Sequence, residues 1–122
     1  MGEIYLCLDV GGTQIKAAAV DSEGELRREI RYFPARAKEE QETLLAHFVS
    51  IIKEIRVPET EVKGIHLAFP GPFDYEEGIC LLQGLDKYDR LYKVNLRQEF
   101  AGRMHMAPER IRFINDASAY AL

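Results

Sequence analysis

Between Lys38 and Ile55 the apolar residues Leu44, Leu45, Phe48, Val49, Ile51, Ile52 and Ile55 recur at helical spacing, with Glu and Lys on the opposite side. Strand-like runs flank this helix. Ile4 to Asp9, Ile15 to Asp21 and Leu26 to Phe33 precede it, and Val62 to Phe69 follows it. A strand, a long helix and a further strand make a crossover unit, which requires parallel pairing and a right-handed connection. Val62 to Phe69 is largely apolar, as expected of a strand covered on both faces. The opening runs are separated by Gly11-Gly12 and by Asp21-Ser22-Glu23-Gly24-Glu25, and the third ends at Pro34. They predict an antiparallel meander.

Pro70-Gly71-Pro72 halts the strand after the helix, and Tyr75-Glu76-Glu77-Gly78 predicts a turn between two short segments able to pair as a hairpin. Leu81 to Tyr92 reads mostly as loop. Asn95 is a candidate N-cap for a helix running to Met104, with Leu96, Phe100 and Met104 on one face and Glu99 near a capping-box position. Arg112 to Asn115 predicts a short strand, and Asp116 to Leu122 the start of another helix. That helix has no stop signal, so the natural chain is expected to continue.

A chain of 122 residues, 47% apolar and 30% charged, has the size and composition of one soluble domain. Its net charge of -4, with Lys and Arg scattered, gives no basic stripe for a nucleic-acid backbone. No apolar stretch approaches the roughly 18 residues of a membrane helix, and the N-terminus has no secretory signal pattern, so the default placement is cytoplasmic. Cys7 and Cys80 lie far apart without CxxC spacing or nearby histidines, which predicts buried small apolar residues rather than a zinc site. His47, His66 and His105 are isolated and read as structural.

The segment Asp9-Val10-Gly11-Gly12-Thr13-Gln14-Ile15-Lys16 carries the clearest chemistry. Two adjacent glycines at a strand-to-strand turn can take positive φ and leave backbone amides uncovered, a concave cradle suited to phosphate. Thr13 adds a hydroxyl and Lys16 a cation, and Asp9 at the end of the first strand could hold a water of a magnesium ion. The segment is neither a Walker A loop nor a dinucleotide fingerprint, because its glycines precede a second strand instead of a helix. A Gly-Gly pair also serves as an ordinary hairpin turn. The pair Asn115-Asp116 ends a predicted strand, where open α/β sheets place ligands, and a carboxylate there can accept a proton from a hydroxyl that attacks a phosphate. Asp116 could equally cap the helix that follows it.

Asp9-Val10-Gly11-Gly12-Thr13-x-x-Lys16 resembles the phosphate-binding signature of the ROK family (repressor, open reading frame, kinase). Phe69-Pro70-Gly71-Pro72-Phe73-Asp74, Leu91-Tyr92-Lys93-Val94-Asn95-Leu96 and Phe113-Ile114-Asn115-Asp116-Ala117 resemble three further segments of its N-terminal lobe, in matching order and spacing. The resemblance implies a ribonuclease H-like (actin-like ATPase/hexokinase) α/β lobe, with a mixed five-stranded sheet and helices on both faces. It also implies ATP-dependent, magnesium-assisted phosphoryl transfer to a hexose or N-acetylhexosamine, with a glucokinase foremost.

Under that resemblance Asp116 is the catalytic base, and Asp9, Gly11, Gly12, Thr13 and Lys16 serve the nucleotide phosphates and metal. Pro70, Gly71, Asn115 and Asp116 hold the sugar. The nucleotide-contacting half is expected in a second lobe beyond this chain, and the full-length protein is expected to be a homodimer. One position departs from the pattern: Ser118 stands where the family often has Asn. The alternative is a sugar-sensing ROK-type transcriptional regulator. Such proteins carry a helix-turn-helix domain ahead of the glycine motif, whereas here the motif begins nine residues from Met1.

Overall fold

In the opening meander, apolar side chains alternate with small or polar ones, and the computed structural model, which describes residues 2–58 and 60–115, turns that alternation into a sheet. Strand β1 (Glu3–Val10) pairs antiparallel with β2 (Gln14–Asp21), setting Val10 against Ile15 and Asp9 against Lys16. β3 (Arg31–Pro34) pairs antiparallel with β2. Helix α1 (Gln41–Glu54) crosses over to β4 (Glu61–Ala68), which lies parallel to β1, and β7 (Ile111–Ile114) lies parallel to β4. The strand order is β3-β2-β1-β4-β7. Two short strands, β5 (Phe73–Asp74) and β6 (Ile79–Cys80), form the predicted hairpin outside that sheet. Helix α2 (Leu96–Met104) follows it.

One sheet face carries the core. Ile4, Leu6, Leu8 and Val10 of β1 and Ile15, Ala17 and Ala19 of β2 pack with Leu44, Leu45, Phe48, Ile51 and Ile52 of α1 and with Leu96 and Phe100 of α2. Both helices therefore cover the same face. The helix expected from Asp116, which would meet the other face, lies outside the described residues. On that second face Cys7, Ala18 and Ala68 are small and buried. Burial pushes the Cys7 thiol up to about 12, and Cys80 is raised for the same reason, so both cysteines behave as the apolar residues predicted.

The third strand is shorter than the sequence predicts. Only Leu26 bridges to Val20 before the ladder resumes at Arg31, and Leu26 is 44% exposed. Arg27, Arg28 and Glu29 leave no apolar partner for a buried face, and a half-buried strand needs one. The turn before it is held by Asp21, whose carboxylate accepts from the amides of Glu23 and Glu25 at 2.9 and 3.0 Å. Helix α1 begins at Gln41, later than the predicted Lys38, because Ala35 and Ala37 are buried and their backbone bonds elsewhere.

Asn95 caps α2 as expected, its side chain accepting from the Gln98 amide at 3.0 Å. Glu99 takes no part in the cap. It faces Arg103, whose guanidinium also grips both oxygens of Glu42 at 2.8 Å and ties α1 to α2. Those hydrogen bonds hold Glu42 below the usual carboxylate range. Gly78 closes the β5–β6 hairpin at φ +84, and a Cβ there would stand 2.8 Å from that of Arg97, so only glycine fits.

Candidate functional site

Strands β1, β4 and β7 run parallel, and Asp9, Ala68 and Ile114 are neighbours in register. The segments that follow them, Gly11-Gly12, Phe69-Pro70-Gly71-Pro72 and Asn115, therefore leave the sheet at one edge, the carboxyl end where open α/β sheets bind ligands. This edge gathers every site residue predicted from the described part of the chain. Asp116, the predicted base, and Ser118 lie outside the described residues.

Asp9 points to the face away from α1 and lies 3.8 Å from the Lys16 ammonium. Both side chains are about one-third exposed, at 34% and 32%, so the pair is open to solvent and to ligands. Thr13 is exposed, and its carbonyl accepts from the Ala35 amide at 3.0 Å.

The glycines are needed for a reason other than the one expected. Neither Gly11 nor Gly12 has positive φ. The Gly11 amide donates to the Gln14 carbonyl at 3.0 Å, and a Cβ on Gly11 would come within 2.8 Å of that oxygen. Close approach of backbone to backbone is what excludes a side chain here. Gly11→Ala should cost about 1–3 kcal/mol, as over-packing does elsewhere. Urea denaturation reads this directly, and a loss below about 0.5 kcal/mol would show that the turn opens freely.

Sequence reasoning missed two tyrosines that organise this edge. Tyr75 accepts from the Asn115 side-chain amide at 2.9 Å and donates to the Phe69 carbonyl at 2.6 Å, a relay from the end of β7 to the end of β4. Tyr88, fully buried, donates to the Gly11 carbonyl at 2.6 Å. Its ring packs against Phe48 and Phe69. Burial pushes the Tyr88 hydroxyl above its usual range, so it stays a donor. The stretch from Asp86 to Arg90 reads in sequence as a polar segment near the expected cleft mouth or as a solvated loop, and an aromatic residue amid charges was the one signal that part of it is buried.

The neighbouring loops are latched as well. Lys38 pairs with Asp86 at 2.9 Å and Arg90 with Glu40 at 3.5 Å. Gly71, preceding Pro72 through a cis peptide, is exposed, and a Cβ on it would meet nothing nearer than the Tyr75 hydroxyl at 3.7 Å. Among the described residues no group of three or more His, Cys, Asp or Glu could hold a metal ion, and no helix is long and apolar enough to cross a membrane.

The ROK family profile matches residues 5–122, from β1 through the glycine turn to the Asn115-Asp116 pair. The chain belongs to the ROK family. Its fold is the α/β lobe of ROK sugar kinases, found in a glucokinase from Parabacteroides distasonis with a TM-score of 0.75 and 26% identity. That match covers 93% of this chain and 31% of the glucokinase. A ROK glucokinase from Streptomyces griseus, solved with glucose and AMPPNP, matches with a TM-score of 0.74 at 19% identity, over 97% of this chain and 35% of that one. A ROK transcriptional regulator, a homolog of the E. coli MLC protein, matches with a TM-score of 0.76 at 20% identity, over 99% and 30%. The chain thus spans about a third of the length of these relatives. No curated protein sequence matches it.

Proposed function

We propose that residues 1–122 form the N-terminal lobe of an ATP-dependent sugar kinase that phosphorylates a hexose or N-acetylhexosamine, glucose foremost, with a second lobe completing the nucleotide site. The observation that carries this reading is the shared carboxyl edge of β1, β4 and β7, where the glycine turn and Asn115 end strands two places apart in one sheet. A phosphate cradle and a sugar-hydroxyl partner then face one cleft. Gly71 supports the sugar half, since nothing in the chain's own packing demands a missing side chain there, and a ligand lying against the backbone would.

In this mechanism Asn115, already oriented by Tyr75, hydrogen-bonds the sugar while Pro70 and Gly71 line its face. Asp116 takes the proton of the attacking hydroxyl. The Gly12 and Thr13 amides of the turn, the Thr13 hydroxyl and Lys16 stabilise charge on the transferring phosphoryl group, the Gly11 amide being taken by Gln14. A lone carboxylate at a strand end fits magnesium held through water, with phosphate oxygens as the other ligands, so Asp9 would hold the ion. Magnesium would supply charge neutralisation of the phosphates. The same reading makes the full-length protein a cytoplasmic homodimer.

The test is a coupled assay of ADP release by the full-length protein with magnesium and a panel of hexoses and hexosamines. Sugar-dependent release is the expected result and names the substrate. No release with any sugar, alongside sugar binding by calorimetry, would transfer the assignment to a sugar-sensing regulator.

A further inference from the structure

The loop between β6 and α2 reaches back to the glycine turn and brings an unassigned cation with it. Its base is closed by the Lys93 amide bonding the Cys80 carbonyl at 2.7 Å, and Leu82, Tyr88 and Leu91 bury its interior. Tyr88 fixes its tip twice, by its amide to the Ala37 carbonyl at 2.7 Å and by its hydroxyl to Gly11. Tyr88 sits at φ 58, a left-handed conformation that a bulky residue adopts only when its surroundings impose it.

This reversal lays Lys87 across the turn. A Cβ on Gly12 would stand 3.1 Å from Lys87 Cδ and 4.0 Å from its Nζ, so the lysine stem lies directly against the open side of Gly12. Three other cations around the edge have carboxylate partners, Lys16 with Asp9, Lys38 with Asp86 and Arg90 with Glu40, whereas Arg36, exposed beside the Ala35 that bonds Thr13, has none among the described residues. Lys87 has no carboxylate and no hydrogen-bond partner among the described residues. A half-buried lysine whose ammonium lies close to the glycine turn is complementary to a multiply charged phosphate.

We propose that Lys87 is the cationic wall of the phosphate cradle, contacting the phosphate chain from the loop side, and that Tyr88 is the positioning residue that holds it there. This deepens the kinase reading and rests on it for the identity of the anion. Lys16, tied to Asp9, leaves Lys87 to meet the phosphates from the opposite side of the turn.

The test uses the full-length protein and tripolyphosphate as the probe, titrated by calorimetry at low salt, with sugar binding and thermal melting measured in parallel. Lys87→Met keeps the aliphatic stem over Gly12 and removes the charge. It should weaken tripolyphosphate binding about tenfold, the loss of one charge-assisted hydrogen bond, with sugar affinity and melting temperature retained. Lys87→Arg should restore binding to within about threefold. Tyr88→Phe should also weaken it, and should add little further loss in the Lys87→Met background, because the tyrosine acts through the lysine.

Unchanged tripolyphosphate binding by Lys87→Met, or no binding by the wild type, would overturn the proposal. So would equal losses of phosphate and sugar affinity together with a lowered melting temperature, which would mark the lysine as packing alone. The two readings separate cleanly. Lys87-dependent tripolyphosphate binding without ADP release under any sugar would retain the cradle and remove the kinase.

Discussion

Asp116→Asn in the full-length protein should lower sugar-dependent ADP release by about 10²–10⁴-fold, the range that general-base catalysis contributes, while sugar affinity stays near that of the wild type. The substitution separates two jobs that aspartate can do at the start of a helix. Asn caps a helix as well as Asp, so a cap expected at this position would be kept. What it loses is the ability to accept a proton from the attacking hydroxyl. A fall in kcat with sugar affinity unchanged is the signature of an interaction used only in the transition state. Turnover within a few-fold of wild type would remove Asp116 from the role of base and leave it as a cap. Asn115 makes the experiment interpretable, because its bond to Tyr75 already orients the side chain proposed to contact the sugar.

Phe48→Ala should be the most damaging single change to stability, at about 3–5 kcal/mol. The ring is wholly buried and lies 5.7 Å from Phe69, 6.1 Å from Tyr88 and 5.8 Å from Phe100, centroid to centroid. It therefore joins the end of β4, the Tyr88 loop and α2 to the centre of α1. Those contacts cannot be replaced by local collapse, since the three partners belong to separate elements. Against a domain stability of about 5–15 kcal/mol, such a loss leaves a small margin. The midpoint of urea unfolding measures it, with Phe48→Leu expected to fall between wild type and alanine. A loss below about 1.5 kcal/mol for alanine would mean that the aromatic cluster repacks around the gap.

The parts of the fold that could be read in the sequence were those whose patterns are local. Leu44 through Ile55 repeats with a helical period, and the runs beside it are bounded by glycine and proline, so the crossover and the five-strand sheet follow. The third strand was over-extended because Leu26 and Ile30 look like sheet residues until their charged neighbours are considered. The glycine turn was found for a reason only partly right. Its position and exposure agree with the expectation, but tight contact with the Gln14 carbonyl, not positive φ, requires Gly11.

The contacts of Tyr88 and Lys87, in a segment whose place near the cleft mouth could be read, were out of reach for a different reason. Those contacts depend on the path of a long loop returning to Gly11 and Gly12, and no periodicity records such a return. Tyr75 is similar, since its hydroxyl gains its role only when β4 and β7 end side by side.

The register of Asp9, Ala68 and Ile114 also fixes when the cleft can exist. The glycine turn closes between adjacent strands over a few residues, an inexpensive step for an unfolded chain. The β1–β4 and β4–β7 pairings each enclose a long intervening segment, including a helix, and their loop entropy must be met before contacts repay it. Any partly formed lobe without β7 thus has its turn but not Asn115. Under the proposed function, the anion cradle would be an early product of this topology and the sugar wall a late one, so a complete ligand edge would mark that the sheet has finished assembling.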